Sequence, residues 1–429
     1  MMFALALALL GQAAGPRVLT LEEALRTARE RQPQLRQARA ATGAAGARSS
    51  EAFAALLPQL TATASYQRTT ANFINRPGSA PRTFNTDTNL SFSLYNFFSG
   101  NISASQLLWD FGAAPNRWRA ARAQEESSVS SERATALLVG FNVRSAYFAA
   151  RASRSLVKVA RDSLDNFNKH LEQIEAFVGA GTRPDIDLAQ ARTDSANARV
   201  TLINAENTYL TAKAQLNQAM GIEGPVDYDI ADEALPPIKG EEADLPPLLE
   251  EALKARPEVA SLEQQVRAQQ LTASSIEGQY GPSLAATLGF TQGGTSISQL
   301  GWNASAGLTL SWNLFQGGLT RAQVREAEAN AAGAVAQLDI LRQQIRLDLD
   351  QARLAVRAAR ESVGAAQEAL INARERLRLA EGRYETGVGS VIELGDAQVA
   401  LTSAAAQAVQ ADDRLATARA QLLHALGRE

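Results

Sequence analysis

Two acidic side chains near the start of a predicted helix are well suited to attracting cations. Glu393 and Asp396 are three positions apart, so a helix that begins near Ser390 places both carboxylates on one face. A second interpretation stays open for Glu393, because Ser390 and Glu393 also form a capping box at a helix N-terminus. Asp396 lies beyond the reach of that capping interaction. The spacing therefore predicts two carboxylates on one face of the helix.

Residues for enzymatic chemistry are scarce. The only histidines, His170 and His424, are not spaced as metal ligands, and the absence of cysteine excludes disulfides and zinc–thiolate sites. Gly179 and Gly181 lie between two predicted helices rather than after a strand, so they do not form a dinucleotide fingerprint. With 42 basic and 45 acidic residues, the net charge of −3 argues against a nucleic-acid partner. We predict no catalytic, cofactor or metal site, and no enzyme.

A helix of unusual length leads to the acidic pair. No proline interrupts residues 319–386, and from Leu349 to Tyr384 apolar residues recur every 3.5 positions, the spacing of a left-handed coiled coil. At 1.5 Å per residue, a helix of this length extends about 100 Å. The seam positions are Leu349, Ala352, Val356, Ala359, Val363, Ala366, Leu370, Ala373, Leu377, Ala380 and Tyr384. Because many of them are alanine, partner helices can approach closely.

The same pattern occurs earlier in the chain, at a constant offset of 206. Ten of the eleven equivalent positions between Val143 and Val178 are apolar or alanine, and Gly181 occupies the place of Gly387. Before the strands the offset is 224, so that Pro33 corresponds to Pro257. The difference of 18 between the two offsets falls in a loop of the first half, around positions 72–88. An internal two-fold repeat is therefore predicted.

Two segments alternate between apolar and small polar residues, which predicts a β-hairpin in each repeat. Strands of ten or more residues with aromatics near their ends are typical of a transmembrane β-barrel, and one face of a soluble sheet is the alternative. Four strands cannot close a barrel, and open edges are not tolerated in lipid, so three chains would share twelve strands. The tryptophans expected as membrane-interface anchors, for which sheet packing is the alternative, are Trp109, Trp302 and Trp312.

The predicted domain organisation follows the repeat. Residues 1–14 are interpreted as a signal peptide, with a buried or disordered N-terminus as the alternative, and no later segment is apolar enough for a transmembrane helix. Residues 222–247 are predicted to be an acidic, proline-rich, solvated connector in the equatorial region. The predicted elements of repeat 1 (15–221) are helices 21–57, hairpin 59–109, long helix 113–178 and return helix 184–220. Those of repeat 2 (248–429) are helices 248–280, hairpin 283–315, long helix 319–386 and return helix 390–426.

The order of these elements, taken twice, resembles the TolC family of outer-membrane efflux proteins. The motifs that carry the resemblance are Leu108-Trp-Asp-Phe-Gly112 and Leu314-Phe-Gln-Gly-Gly318 at the strand-to-helix junctions, with Phe177 to Asp187 and Tyr384 to Gln398 at the helix tips. The resemblance implies a mixed α+β membrane protein that forms a homotrimer. Its shared 12-stranded barrel would lie in the outer membrane of a Gram-negative bacterium and continue as a coiled-coil α-helical barrel through the periplasm.

The resemblance also implies roles for the helix tips. The residues expected to dock a periplasmic adaptor are Gly179, Gly181, Thr182, Arg183, Tyr384, Gly387, Val388, Gly389 and Ser390. Gly389 stands where several members of the family carry a basic residue. Glu393 and Asp396 match the acids of the family's periplasmic gate, and Asp187 and Gln190 take their places in repeat 1. The glycines have an alternative role, because they permit left-handed backbone at a helix C-terminus.

The expected function is that of an outer-membrane exit duct in a tripartite efflux or type I secretion system. Its partners would be outer-membrane lipid, a periplasmic adaptor and an inner-membrane pump. The alternative is a periplasmic coiled-coil adaptor or scaffold without a channel, whose strands form a small soluble domain.

Overall fold

The computed structural model describes residues 17–70, 94–224 and 228–428. The predicted signal peptide and the predicted loop at 72–88 lie outside these residues. The chain divides into two compact units, which are described separately. One contains the strands and spans Ala40–Ser130 and Ala260–Asp339. The other contains the helix tips and spans Met1–Arg39, Ser131–Val259 and Ile340–Glu429.

The helices and strands follow one another in the order expected for two similar halves. The first half contains β1 (Arg17–Leu19), α1 (Leu21–Arg31), α2 (Pro33–Ala54), β2 (Gln59–Thr69), β3 (Tyr95–Trp109), α3 (Ala113–Gly179) and α4 (Asp185–Met220). The second contains β4 (Tyr228–Ile230), α5 (Leu245–Ala255), α6 (Pro257–Glu277), β5 (Ser283–Gly294), β6 (Gly301–Ser311), α7 (Leu319–Glu385) and α8 (Val391–Ala425). A short 3₁₀ turn, Gly278–Tyr280, follows α6.

Some helix boundaries differ from the predicted ones because of proline. Pro33 is the first residue of α2 rather than a break before it, since a first-turn residue has no intrahelical N–H bond to lose. α2 ends at Ala54 instead of 57, because Leu57 precedes Pro58 and is driven away from helical backbone. In repeat 2 the first helix begins at Leu245, with prolines in its first turn.

The long helices bury the predicted coiled-coil seam. Leu349, Val356, Leu377 and Tyr384 are buried, whereas the middle of the seam around Ala366 is only half-buried. In α3 two adjacent side chains outside the predicted seam, Tyr147 and Phe148, are also fully buried. They belong to the core around α1 and α4, so α3 buries a wider stripe there than a two-position seam.

Four strands form one antiparallel sheet in the order β2-β3-β5-β6. The register places apolar residues opposite one another, as in the pairs Leu288↔Ala306 and Ile102↔Phe290. On the other face it pairs small polar residues, such as Ser65 with Ser99, whose hydroxyls are 2.7 Å apart. The sheet therefore has one apolar face and one small polar face.

The last strand ends earlier than predicted, because the predicted hairpin extends to residue 315. β6 ends at Ser311, which pairs with Ser283, the first residue of β5. Residues 312–315 extend beyond β5 and so have no strand partner among the described residues. The Trp312 indole instead donates a hydrogen bond of 2.9 Å to the Tyr280 carbonyl.

The prediction of a merely solvated connector at 222–247 is wrong. Its residues Tyr228 and Ile230 are buried, and β4 pairs in parallel with β1 at the beginning of the described chain. The single hydrogen of the Tyr147 hydroxyl is shared between the carbonyls of Leu19 and Ala231, one on each side of this pairing, at 3.3 and 3.2 Å. The physical reason is alternation, because the acids of this segment lie beside apolar side chains that turn into the core.

The connector's acids are also used by the helices around it. Glu241 forms a largely buried, bidentate ion pair with Arg419 of α8, at 3.0 and 3.1 Å. Asp229 accepts hydrogen bonds from Arg154 and from the Tyr209 hydroxyl. Burial raises the pKa of the Tyr228 phenol to about 12. The segment is therefore an integral layer of its unit.

Candidate functional site

The first helix tip is a compact turn between α3 and α4. Gly181 adopts left-handed backbone with φ 71°, and its N–H donates to the Val178 carbonyl at 2.9 Å. Thr182 donates twice to the Phe177 carbonyl, from its N–H at 3.0 Å and from its hydroxyl at 2.8 Å. These bonds satisfy carbonyls that the end of α3 would otherwise leave unpaired.

The second helix tip, between α7 and α8, begins with the same geometry. Gly387 has φ 78°, and the N–H groups of Val388 and Gly389 both donate to the Arg383 carbonyl, at 3.1 and 2.8 Å. Ser390 then caps α8, because its hydroxyl accepts a hydrogen bond of 3.1 Å from the Glu393 N–H. A Cβ on Gly389 would lie only 2.9 Å from the Tyr384 nitrogen, so this position has no room for a side chain.

Arg183 and Tyr384 join the two tips. The Arg183 guanidinium lies 4.6 Å from the centre of the Tyr384 ring and is 3.5 Å from the Tyr384 carbonyl oxygen. This geometry is a cation–π contact. Below it, an apolar cluster unites all four helix ends, and its buried members are Ile174, Ala191, Leu377, Ala380, Tyr384, Leu394 and Ala397. The sequence placed Arg183 and Tyr384 at the tips without indicating that they meet.

Tyr384 is a titratable group of the tips whose pKa is raised. Burial raises the pKa of its phenol, the Arg183 guanidinium acts in the opposite direction, and the Asp187 carboxylate raises the pKa again. Within the described residues the hydroxyl has no hydrogen-bond partner. The ring is therefore held mainly by packing and by Arg183.

The three predicted gate acids have different surroundings. Glu393 contacts Arg383 across the turn, with 3.2 Å between a carboxylate oxygen and the guanidinium Nε. Asp396 is exposed on α8, and Asp187 is half-buried near Tyr384. Sequence reasoning overlooked Arg383, because an ion pair across a turn of this length follows no helical spacing. The charge of Glu393 is thus partly compensated, and that of Asp396 projects into solvent.

The apolar face of the sheet is open to solvent in the single chain. Leu60, Leu288, Leu308 and Leu310 each have well over half of their surface exposed. A continuous apolar face of this kind needs a partner, because isolated exposed leucines are normal on protein surfaces but a whole sheet face is not.

The three tryptophans are exposed near the strand ends. Trp302 stacks on Phe290 with 6.2 Å between ring centres, and Trp109 meets Phe111 edge-on at 5.1 Å. Trp312 also has more than half of its surface exposed, although its indole N–H is bonded to Tyr280. These contacts leave about half or more of each tryptophan exposed.

Neither a spanning helix nor a metal centre is present in the described part of the chain. None of the helices in residues 17–70, 94–224 and 228–428 combines the length and apolar character needed to cross a membrane. Over the same residues, no group of three or more histidine, aspartate or glutamate side chains could hold a metal ion.

Residues 24–222 and 248–428 match the family described as Outer membrane efflux protein. The chain belongs to this family, and the predicted membership and outer-membrane location are confirmed. The two matched segments coincide closely with the predicted repeats and omit most of the connector.

Individual relatives agree with this assignment. The chain is 24% identical to the probable outer membrane lipoprotein SilC of Salmonella typhimurium over 71% of its own length and 66% of that protein's. It is also 24% identical to TolC of Escherichia coli K12, over 90% and 77% of the two lengths. The chain therefore spans about two thirds of SilC and about three quarters of TolC.

Solved structures show the fold. The outer-membrane channel OprN aligns with a TM-score of 0.82 at 20% identity, covering 95% of this chain and 90% of that one. The CmeC outer membrane channel of Campylobacter jejuni aligns with a TM-score of 0.83 at 18% identity, covering 95% and 85%. The fold is thus that of the outer-membrane efflux channels.

Proposed function

We propose that the protein is the outer-membrane exit duct of a tripartite efflux or type I secretion system. Three copies would share one 12-stranded barrel and conduct substrates passively from a periplasmic adaptor and an inner-membrane pump to the exterior. The observation that carries the proposal is the exposed apolar face of a four-stranded sheet whose two edges, β2 and β6, have no strand partner among the described residues. In lipid such edges must be closed, and three chains supply twelve strands.

Oligomeric state and extraction test this proposal against the adaptor alternative. A duct requires detergent for extraction from outer membranes and gives a trimer by native mass spectrometry. A monomer or dimer in detergent contradicts the shared barrel, and recovery in the soluble periplasmic fraction favours the adaptor. The names of the relatives support the duct, since OprN and CmeC are outer-membrane channels.

We propose further that the two tips form the adaptor-docking surface. Besides the residues of the two turns, this surface presents exposed apolar side chains, namely Ile186, Val388 and Ile392. Each is more than two thirds exposed, which suits a partner that buries an apolar patch. Docking would require compact turns, because a loose loop loses conformational entropy when it binds.

Substitution of exposed tip side chains tests docking without straining the glycines. Val388→Asp and Ile186→Asp should abolish efflux in cells while leaving the trimer assembled. The matched control is Ile371→Asp, which removes an equally exposed isoleucine from α7 outside the tips. Normal efflux in the two tip variants would move the docking site elsewhere. Bulky residues at Gly181 or Gly387 should have the same effect as the aspartates.

The third part of the proposal is an acidic gate formed by Asp396, Glu393 and Asp187. Threefold symmetry would gather their copies around the channel axis. The exposure of Asp396 and the pairing of Glu393 with Arg383 support Asp396 as the principal charge. Asp396→Ala should weaken divalent-cation block and cation selectivity in planar bilayers.

Gln190→Ala is the matched control, because Gln190 occupies the place of Asp396 in repeat 1 and its amide is bonded to Asp194. This variant should change neither property. Unchanged selectivity and block in Asp396→Ala would place the constriction elsewhere.

A further inference from the structure

The two unpaired sheet edges carry enough information to fix how one copy meets the next. β2 and β6 lie at opposite ends of the sheet, and β3 and β5 meet in its middle. In the predicted repeat, β3 corresponds to β6 and β5 corresponds to β2. The pairing of β3 with β5 within the chain is therefore a template for the pairing of β6 with β2 of a second copy. This inference rests on the proposed trimer.

The element boundaries support the two offsets needed for the mapping. The first and last residues of α1 and α5 differ by the larger offset, 224. The first residues of β2 and β5 differ by the same number. α3 and α7 begin and end at the smaller offset. The first residues of β3 and β6 share that smaller offset as well.

We propose that β6 pairs antiparallel with β2 of the partner subunit in one defined register. Adding 206 to a β3 residue and subtracting 224 from its β5 partner converts Ile102↔Phe290 into Leu308 opposite Tyr66 of the partner subunit. In the same way, Ser103↔Gly289 becomes Thr309 opposite Ser65 of the partner subunit. Ser105↔Thr287 becomes Ser311 opposite Thr63 of the partner subunit.

The derived register satisfies the two faces of the sheet. Leu308 and Leu310 fall opposite Tyr66 and Ala64 of the partner subunit, apolar against apolar. Thr309 and Ser311 fall opposite serine and threonine. A slip by one residue would place apolar side chains on the polar face. The two offsets are fixed by the helices and not by the polarity of the strand residues, so this agreement supports the register.

The register also explains where β6 ends. β3 continues past the end of β2 and pairs with β5 alone, through Gln106, Leu107 and Trp109. The equivalent residues of repeat 2 are Trp312, Asn313 and Phe315, and these would pair with the partner subunit alone. In the single chain they are not strand residues, and Phe315 is 89% exposed. Residues 312–315 therefore become strand when the second copy arrives.

A size exchange at the strand-to-helix junctions gives the strongest support. Within the chain, Phe111 packs so closely on Gly281 that a Cβ there would lie 2.2 Å from the Phe111 ring. The equivalent pair between copies is Gly317 against Leu57 of the partner subunit. The large and small residues have changed places, and the combined size is similar. A Cβ on Gly317 meets none of the described residues within 4 Å, as expected if its neighbour belongs to another copy.

Engineered disulfides test the register in a chain that has no cysteine of its own. The in-register pairs are Thr309→Cys with Ser65→Cys and Ser311→Cys with Thr63→Cys. The shifted control is Thr309→Cys with Gln67→Cys. Directly opposite Cα atoms are about 5 Å apart, within disulfide range, whereas a shift of two residues adds about 7 Å along the strand. β2 and β6 are three strand spacings apart in one chain, about 14 Å, so any disulfide joins two copies.

After mild oxidation of purified trimers, both in-register pairs should give covalent dimers and trimers on non-reducing gels, and the shifted pair should give monomer. A cross-linked shifted pair, or trimers in which neither in-register pair cross-links, overturns the inference while leaving the trimer intact. Absence of a trimer by native mass spectrometry, in the cysteine-free protein, instead overturns the proposed function.

The size exchange allows a second test. Gly317→Phe should reduce the trimer fraction at least tenfold, because the new ring would collide with Leu57 of the partner subunit. The left-handed backbone does not forbid phenylalanine here, since Phe111 has φ 58° and Gly317 has φ 60°. Adding Leu57→Gly should restore the trimer. An intact trimer in Gly317→Phe, or no restoration in the double variant, contradicts the contact.

Discussion

Two residues after its left-handed glycine, the first helix tip has Arg183 and the second has Gly389. The equivalent positions have opposite requirements. Arg183 extends its side chain onto the ring of Tyr384, at the other tip. Gly389 must have no side chain, because its backbone lies against Arg383 and Tyr384. The same turn thus positions a cationic side chain at the first tip and a close backbone contact at the second.

This difference shows that the turn does not determine the residue two positions after its glycine. The left-handed glycine and the carbonyl bonds that follow it are common to Gly181 and Gly387, and they set the direction of the return helix. The residue two positions later is outside that constraint. It decides whether the tip contributes a contact or receives one, so the two tips of one chain present different surfaces.

Gly389→Ala should give the largest effect, because the new Cβ would lie within 3 Å of backbone atoms that cannot move independently. We expect the second tip to lose about 2 kcal/mol of local stability, measured by hydrogen exchange across residues 383–391. Gly179→Ala is the control, since a Cβ there has open space and its φ is not positive. Equal protection in the two variants would refute the close approach.

Gly181→Ala and Gly387→Ala should have nearly equal, intermediate effects. Each forces alanine into left-handed backbone, at a cost of about 1–2 kcal/mol, and neither Cβ meets another atom within 4 Å. Hydrogen exchange of both tips measures them side by side. A clearly larger effect at one tip would mean that the two turns are not equivalent in energy.

Arg183→Ala should have a smaller effect, about 0.5–1 kcal/mol for a partly exposed cation–π contact. The change should be seen at the second tip, as faster exchange around Tyr384, although the substitution is in the first. Arg183→Lys, which keeps the charge, should lose less. A change confined to residues 177–186 would show that the guanidinium serves only its own turn.

Tyr384→Phe should have the smallest effect at neutral pH. The counterpart of Tyr384 in repeat 1 is Val178. Because burial raises the pKa of the phenol, the folded tip favours the neutral form. This contribution is complete below the unfolded pKa of about 10 and is lost as the pH rises through the higher folded pKa. As the pH rises above about 9, the thermal midpoint should fall by more in the wild type than in Tyr384→Phe. Parallel curves would contradict a buried phenol.

How well the sequence predicted a feature depends on how far apart in the sequence its contacting residues lie. A seam such as Leu349 to Tyr384 is visible because apolar residues recur every 3.5 positions within one helix. The left-handed glycines were visible because a helix ended beside them. The contact of Arg183 with Tyr384 was not, because it joins residues 201 positions apart and no local period encodes it.

The prediction for the connector was wrong for a related reason. Its acids and prolines predict solvent exposure when they are counted, but Tyr228 and Ile230 form a strand of only three residues. Three residues alternate between buried and half-buried, but so short an alternation is not recognisable in the sequence alone. Its place in the core is decided by β1 and by Tyr147, which lie far away in the sequence.

The pairing of β1 with β4 also sets the order in which parts of the chain can fold. Arg17–Leu19 are among the first described residues to leave the ribosome, yet their strand partner, Tyr228–Ile230, lies beyond the whole of the first repeat. Until the connector has been synthesised, Leu19 lacks part of its core and the Tyr147 hydroxyl lacks the Ala231 carbonyl. Contacts of such long range form late and slowly. The core around β1 is therefore completed only when the connector has joined it, so the connector belongs to the folding unit of the first repeat.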